Sequence, residues 1–202
     1  MRSIEELGEV ELDALKELGN MGVGKAATSL SQMLGKMIDM SVPVASIVKI
    51  QDLHKVIDPE KMVAGVVTAL DDVENGQAGF LYINFPESSS IKLAEILLGD
   101  SSDEEMVDST LMEIGNILSS AFCDAIAEML GIVLIPTPPN FAKDYAVAVI
   151  DAIVSQLAEK SDYVVVFETN LEESENEIEI LVMLIPNERF VNYILQLLGM
   201  VE

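Results

Sequence analysis

Tryptophan is absent from these 202 residues, and histidine and cysteine occur once each, as His54 and Cys123. That is too few parts for a zinc site, or for a Cys/His or Ser/His/Asp nucleophilic apparatus. A single cysteine forms no internal disulfide, and its setting in SSAFCDAIAEML favours a buried small apolar residue over a nucleophile. His54, in QDLHKVIDPE, reads as a surface or helix-start residue. Bases are scarce: 11 Lys and Arg stand against 35 Asp and Glu, a formal net charge of −24. Such a field repels phosphate backbones and anionic lipid surfaces, which argues against nucleic acid as a partner. A solvated surface and a salty cytoplasm would both account for it. No apolar run reaches the roughly 18 residues that span a bilayer. The start, MRSIEELGEVELD, lacks the charged-then-apolar order of a secretory signal. Membrane insertion is therefore not expected, and the expected location is the cytoplasm.

Half of the residues are apolar, enough for a sizeable core in one large domain or two small ones. The chain also repeats itself. DALKELGNMG (13–22) and STLMEIGNIL (109–118) share a Glu, a Gly and an Asn at the same spacing. Moving residue n to n+96 carries Gly19 onto Gly115, Met33-Leu34-Gly35 onto Met129-Leu130-Gly131, and Pro43 onto Pro139. Further on, FPESSSIKLAEILLG (85–99) faces IPNERFVNYILQLLG (185–199) at a shift of 100, so four residues are gained between. The natural place for the gain is a turn, LDDVENGQA in one block against NLEESENEIE in the other. Units of about 100 residues are too long for a solenoid. They read as one duplicated supersecondary block about a pseudo-twofold axis, with repeats at about 9–99 and 105–199.

Periodicity gives the same order of elements in each block. A long helix (about 9–36 and 105–130) leads into a strand that holds the proline, MSVPVASIVKI or IVLIPTPPNF. A second helix follows (about 52–60 and 144–160), then the hairpins MVAGVVTAL with GFLYINF and YVVVFET with IEILVMLIP. A last helix starts beside Pro86 or Pro186. The fold class expected is α+β: two α-β-α-β-β-α blocks pooling six largely antiparallel strands in one sheet with helices packed on it. The short GDSSDEE joins the blocks too tightly for independent domains, so 1–202 is expected to be a single domain.

At about 100° per helical residue, Asp13, Glu17 and Asn20 share one face while Leu12, Leu15, Leu18 and Gly22 lie behind it. In the second copy Ser109, Glu113 and Asn116 form the stripe, with Leu111, Ile114 and Leu118 behind. Seven residues beyond each Glu the stripe meets Gly24 or Ser120, small enough for another surface to approach. One isolated Glu/Asn pair on a helix would be a solvated surface, but nothing in folding requires the same pair on both copies. Each stripe has one Glu common to both copies, and the amide does not titrate, which argues against the paired carboxylates of glycoside chemistry. An amide both donates and accepts, so it can hold a water in line with a phosphoryl group, as a Gln does in GTPases. Metal and charge stabilisation would then come from elsewhere, from a protein substrate bringing its own Mg2+. A metal hydrolase fails for want of ligands.

The pattern [D/S]-x3-E-x2-N-x22-P occurs twice: Asp13, Glu17, Asn20 and Pro43, then Ser109, Glu113, Asn116 and Pro139. Over nearly the whole chain the sequence resembles the CheC family of chemotaxis phosphatases. The resemblance implies hydrolysis of the aspartyl phosphate of the response regulator CheY. It gives Asn20 and Asn116 the direction of the attacking water, and Glu17 and Glu113 the binding of the partner, with Asp13, Pro43, Ser109 and Pro139 completing the motifs. It implies no cofactor of the chain's own, Mg2+ arriving with the phosphorylated regulator. Two intact motifs in one chain separate it from CheX relatives, which carry one motif and dimerise, so a monomer is expected. No appended switch domain is expected, which would separate it from FliY. CheC proteins also bind the receptor deamidase CheD, and the resemblance places that contact around the helix beginning near Asp144. That helix, AVAVIDAIV, reads equally as a core helix packed on the sheet. The alternative function is a noncatalytic or weakly catalytic adaptor that binds and regulates CheD.

Overall fold

The computed structural model describes residues 3–157 and 162–200. Helix α1 (Glu9–Leu34) and helix α3 (Glu104–Leu130) end as the repeat requires, at Gly35 (φ 63°) and Gly131 (φ 67°). Glycine takes that left-handed cap without the Cβ clash that other residues suffer. Strands β3 (Met62–Asp72) and β4 (Gly76–Pro86) form the first hairpin, β7 (Tyr163–Glu173) and β8 (Ile178–Pro186) the second. Each is followed by a helix, α2 (Glu87–Leu98) or α5 (Glu188–Leu197). All pairings are antiparallel, and β4 joins β8 at the centre of one sheet.

The strands that hold the prolines differ from expectation. Each is broken in two, as β1 (Asp39–Met40) and β2 (Val44–Lys49), and as β5 (Leu134–Pro136) and β6 (Asn140–Tyr145). Pro43 and Pro139 sit in the breaks, since a proline has no N–H to give to a ladder. Eight segments thus occupy the six expected strand positions. The blocks also exchange these strands: β1 and β2 pair with β7, whereas β5 and β6 pair with β3. Each hairpin is completed by the other block, so the sheet closes only when both are present.

The extra residues of the second block are not in the hairpin turn. Strands β2 and β6 are related by 96 positions, but β3 and β7 by 101. Between them lie residues 50–61 in the first block, twelve positions, and residues 146–162 in the second, seventeen. The short segment forms a 3-10 helix (Ile50–Val56) where an α-helix at about 52–60 was expected. Pro59 follows closely and disfavours helical backbone at Asp58. The longer segment makes α4 (Ala146–Leu157); the expected residues 158–160 of this helix fall outside the described ones. A shift of 101 also relates Asp72 to Glu173 and Thr68 to Thr169, and carries Tyr82 onto its own ladder partner Met183. The pseudo-twofold axis passes through that pair.

Helices α1, α2, α3 and α5 cover one face of the sheet over a large core that includes Leu30, Leu111, Ile114, Leu118 and Phe122. A smaller core, with Tyr82, Val149, Ile150, Ile153 and Met183, lies under α4 and the 3-10 helix on the other face. Each fully buried aliphatic or aromatic side chain contributes about 1.5–3 kcal/mol relative to exposure. Cys123 is wholly buried in the first core, and burial pushes its thiol up to about 12, so it is an inert apolar residue.

Candidate functional site

The repeated phrase combines a packing residue with two polar ones. A Cβ on Gly115 would stand 2.5 Å from Cγ1 of Val66, and one on Gly19 3.6 Å from the ring of Phe167. Val66 and Phe167 are themselves related by 101; a Cβ on Gly19 would make only ordinary contact, whereas Gly115 lets its helix lie close on the opposite block's strand. Gly22 does the same between the helices, where a Cβ would meet the Phe122 ring at 2.4 Å. Asn20 and Asn116 directly follow the packing glycines and are half-buried at the margin of the seam. Asp13, Glu17, Ser109 and Glu113 are exposed along the same edges. Among the described residues, neither Glu nor Asn of either stripe has a hydrogen-bond or salt-bridge partner. The fold holds these groups in place without using them.

At the second stripe the predicted residues come together. Ser109, Glu113 and Asn116 line a shallow depression of about 510 Å3 whose other wall is Pro136, Thr137, Pro138 and Pro139. Met112, which the stripe reading omitted, completes the floor. Its spacing announced it, because 109, 112, 113 and 116 follow one helical edge. The wall is fixed by a hydrogen bond from the Thr137 N–H to the Ala69 carbonyl (2.9 Å). The Ser41 N–H donates likewise to the Asn170 carbonyl (2.9 Å), and 69 and 170 are again 101 apart. The first wall is tied further, since Ser41 Oγ accepts from the Asn170 N–H (2.9 Å) and the Thr169 hydroxyl donates to the Ser41 carbonyl (2.9 Å). Pro43 is buried where Pro139 is half-exposed.

Asp144 lies apart from both stripes. It is the penultimate residue of β6, paired with Val63, and exposed, so the helix begins two residues later than expected. The inner face of α4, with Val149, Ile150 and Ile153, packs on the second core, while Ala148, Asp151, Ala152 and Ser155 face outward. His54 sits half-buried in the 3-10 helix. Among the described residues, no three His, Cys, Asp or Glu side chains are grouped so as to hold a metal ion, and no helix is long and apolar enough to cross a membrane.

Taken together, the strand-exchanged sheet and its two Glu/Asn edges define a duplicated α+β fold with one outward-facing candidate edge per block. The model of the CheC-like family matches residues 10–47 and 106–142, the two segments that hold every motif position. It is 26% identical over 179 residues to the CheY-P phosphatase CheC of Bacillus subtilis, covering 85% of each chain. The fold is that of Thermotoga maritima FliY, with a TM-score of 0.71 at 22% identity over 95% of this chain and 97% of that one. It also resembles a chain of the CheX–CheY–BeF3–Mg2+ complex of Borrelia burgdorferi, with a TM-score of 0.58 at 18% identity over 84% and 97%.

Proposed function

We propose that the chain hydrolyses the aspartyl phosphate of the response regulator CheY at both stripes. The observation that carries this reading is the second depression, where Glu113 and Asn116 face solvent unpartnered beside a wall of prolines. The name of the Bacillus subtilis relative points to the same reaction. Asn116, and Asn20 in the first site, would orient a water by accepting a hydrogen bond from it at Oδ1, the water keeping its protons until they leave with the phosphate. That water's oxygen bonds to phosphorus as the bond to the regulator's aspartyl oxygen breaks, giving inorganic phosphate and the free carboxylate. Orientation of this kind is worth orders of magnitude in rate because it replaces a search by a held geometry. Glu17 and Glu113 anchor the regulator, a role suited to exposed carboxylates with no partner among the described residues.

The test is to mix the chain with phosphorylated CheY and follow phosphate release. Acceleration over the regulator's own decay is expected, and an unchanged decay would remove the reading. On the same reading Mg2+ enters with the regulator and the chain has no cofactor of its own. Titration of Mg2+ into the isolated chain should show no site tighter than about millimolar, and p-nitrophenyl phosphate should not be hydrolysed. The chain is proposed to act as a cytoplasmic monomer. Exposed Asp144 and the small outer residues of α4 are proposed as the contact for CheD. Asp144→Lys should weaken that complex while leaving phosphate release without CheD intact. If CheD binds and phosphate release is absent, the adaptor function takes its place.

A further inference from the structure

We propose that the two sites hold the regulator by different chemistry, with Met112 a specificity-determining residue of the second. This rests on the phosphatase reading above. The 96-position equivalence sets Lys16 opposite Met112, Asp13 opposite Ser109 and Val42 opposite Pro138. The first edge therefore presents three charged side chains, Asp13, Lys16 and Glu17, and among the described residues none has an ionic partner. The second presents one, Glu113, between the half-buried Met112 thioether and a wall containing three prolines.

A proline wall has fixed φ and no N–H to desolvate, so an apolar side chain can cover it with little loss of chain entropy and no unpaired donor. Methionine beside it adapts to the shape that arrives. The occupant of this shelf is an apolar side chain of the regulator next to its phosphorylated aspartate, since the shelf adjoins Glu113 and Asn116 in the same depression. At the first site the contacts are ionic pairs with exposed Asp13 and Glu17 and half-buried Lys16, and salt screens those. Affinity at the first site is thus strongly salt-dependent, whereas at the second the apolar area adds to the single ionic anchor Glu113 and the dependence is weaker.

Single-site chains separate the two. Asn116→Ala leaves the first site working and Asn20→Ala the second, and KM and kcat for phosphorylated CheY are measured from about 0.05 to about 0.5 M salt, a range over which the screening length falls severalfold. KM of the Asn116→Ala chain should rise steeply, by roughly tenfold, and that of the Asn20→Ala chain by less than about threefold. Adding Met112→Lys to the Asn20→Ala chain should raise KM by about tenfold at fixed salt, the size of a lost apolar interface contact, with the loss in KM rather than kcat. Adding Lys16→Met to the Asn116→Ala chain should flatten its salt dependence. Parallel salt curves in the two single-site chains, or an unchanged KM with Met112→Lys, would overturn the proposal while leaving the phosphatase reading intact. Turnover absent from the unaltered chain would overturn both.

Discussion

The two blocks keep the same polar edge in unlike surroundings. In the first, Pro43 is buried and the wall is tied to β7 through Ser41, Thr169 and Asn170. In the second, the wall is a run of prolines that stands partly free of the sheet beside Met112. Behind the edges the seams differ as well, with Val66 crowding Gly115 and Phe167 standing off Gly19. Packing has therefore drifted between the blocks while Glu, Asn and Pro have held their positions. The drift is in groups that pack on the core, and the constancy extends to the Glu and Asn side chains, which have no hydrogen-bond or ionic partner among the described residues. A purely structural edge would show the reverse.

The seams offer the largest contrast. Gly115→Ala should destabilise the chain by about 1–3 kcal/mol, because the new methyl meets the branched root of Val66, which a strand side chain cannot swing away. Gly19→Ala has room and should stabilise by up to about 1 kcal/mol through helix propensity alone. Urea unfolding of both variants measures the difference, and equal effects would mean that the two seams are packed alike.

The hairpin turns sharpen the comparison at acid pH. Asp72 accepts from the N–H groups of Glu74 (2.8 Å) and Asn75 (2.9 Å), and Glu173 from those of Glu175 (3.2 Å) and Asn176 (2.8 Å). The Asn176 side-chain amide, donating at 2.7 Å, is the main cause that holds the Glu173 carboxyl below its usual 4.5. A depressed folded-state pKa stabilises above the unfolded value and loses that contribution as pH falls through the folded one. Glu173→Gln should accordingly lower Tm at pH 7, and its deficit should shrink as pH drops below 4.5. A deficit independent of pH would show that shape, not charge, closes this turn.

Smallest is the effect at position 168, where the first block has Val67 and the second has a half-buried Glu. Burial raises the Glu168 carboxyl above 4.5, so its charged form costs stability above that pKa and the cost vanishes as pH falls. Glu168→Gln should raise Tm slightly at pH 7, with the gain fading in acid. A loss of Tm at pH 7 would place a favourable partner at this carboxylate.

Much of this architecture was legible in the residues, for identifiable reasons. The long helices announce themselves by an apolar stripe and a glycine stop, and the hairpins by alternation around acidic turns. What could not be read was set by backbone partners far along the chain. Exchange of β2 and β6 between blocks leaves no mark on composition, because a ladder bond is made by groups that every residue but proline carries. The prolines did carry that mark, and placing Pro43 and Pro139 inside strands overlooked it. The gain of residues was assigned to the turn because the phrases after it align at a shift of 100, whereas β3 and β7 are related by 101 and the five residues that lengthen α4 precede the hairpin. At the site, Glu and Asn were found by repetition. Met112 was passed over because a methionine beside leucines reads as core, although its spacing put it on the edge.

The central claim, that each block carries a working site, is tested most directly by phosphate release from phosphorylated CheY with the unaltered chain, Asn20→Ala, Asn116→Ala and the double variant. Each single variant should keep part of the acceleration. The double variant should fall by about 100-fold or more, to the regulator's own rate, with its circular dichroism unchanged. A double variant that retains full acceleration, or a single variant that already loses all of it, would contradict two independent sites.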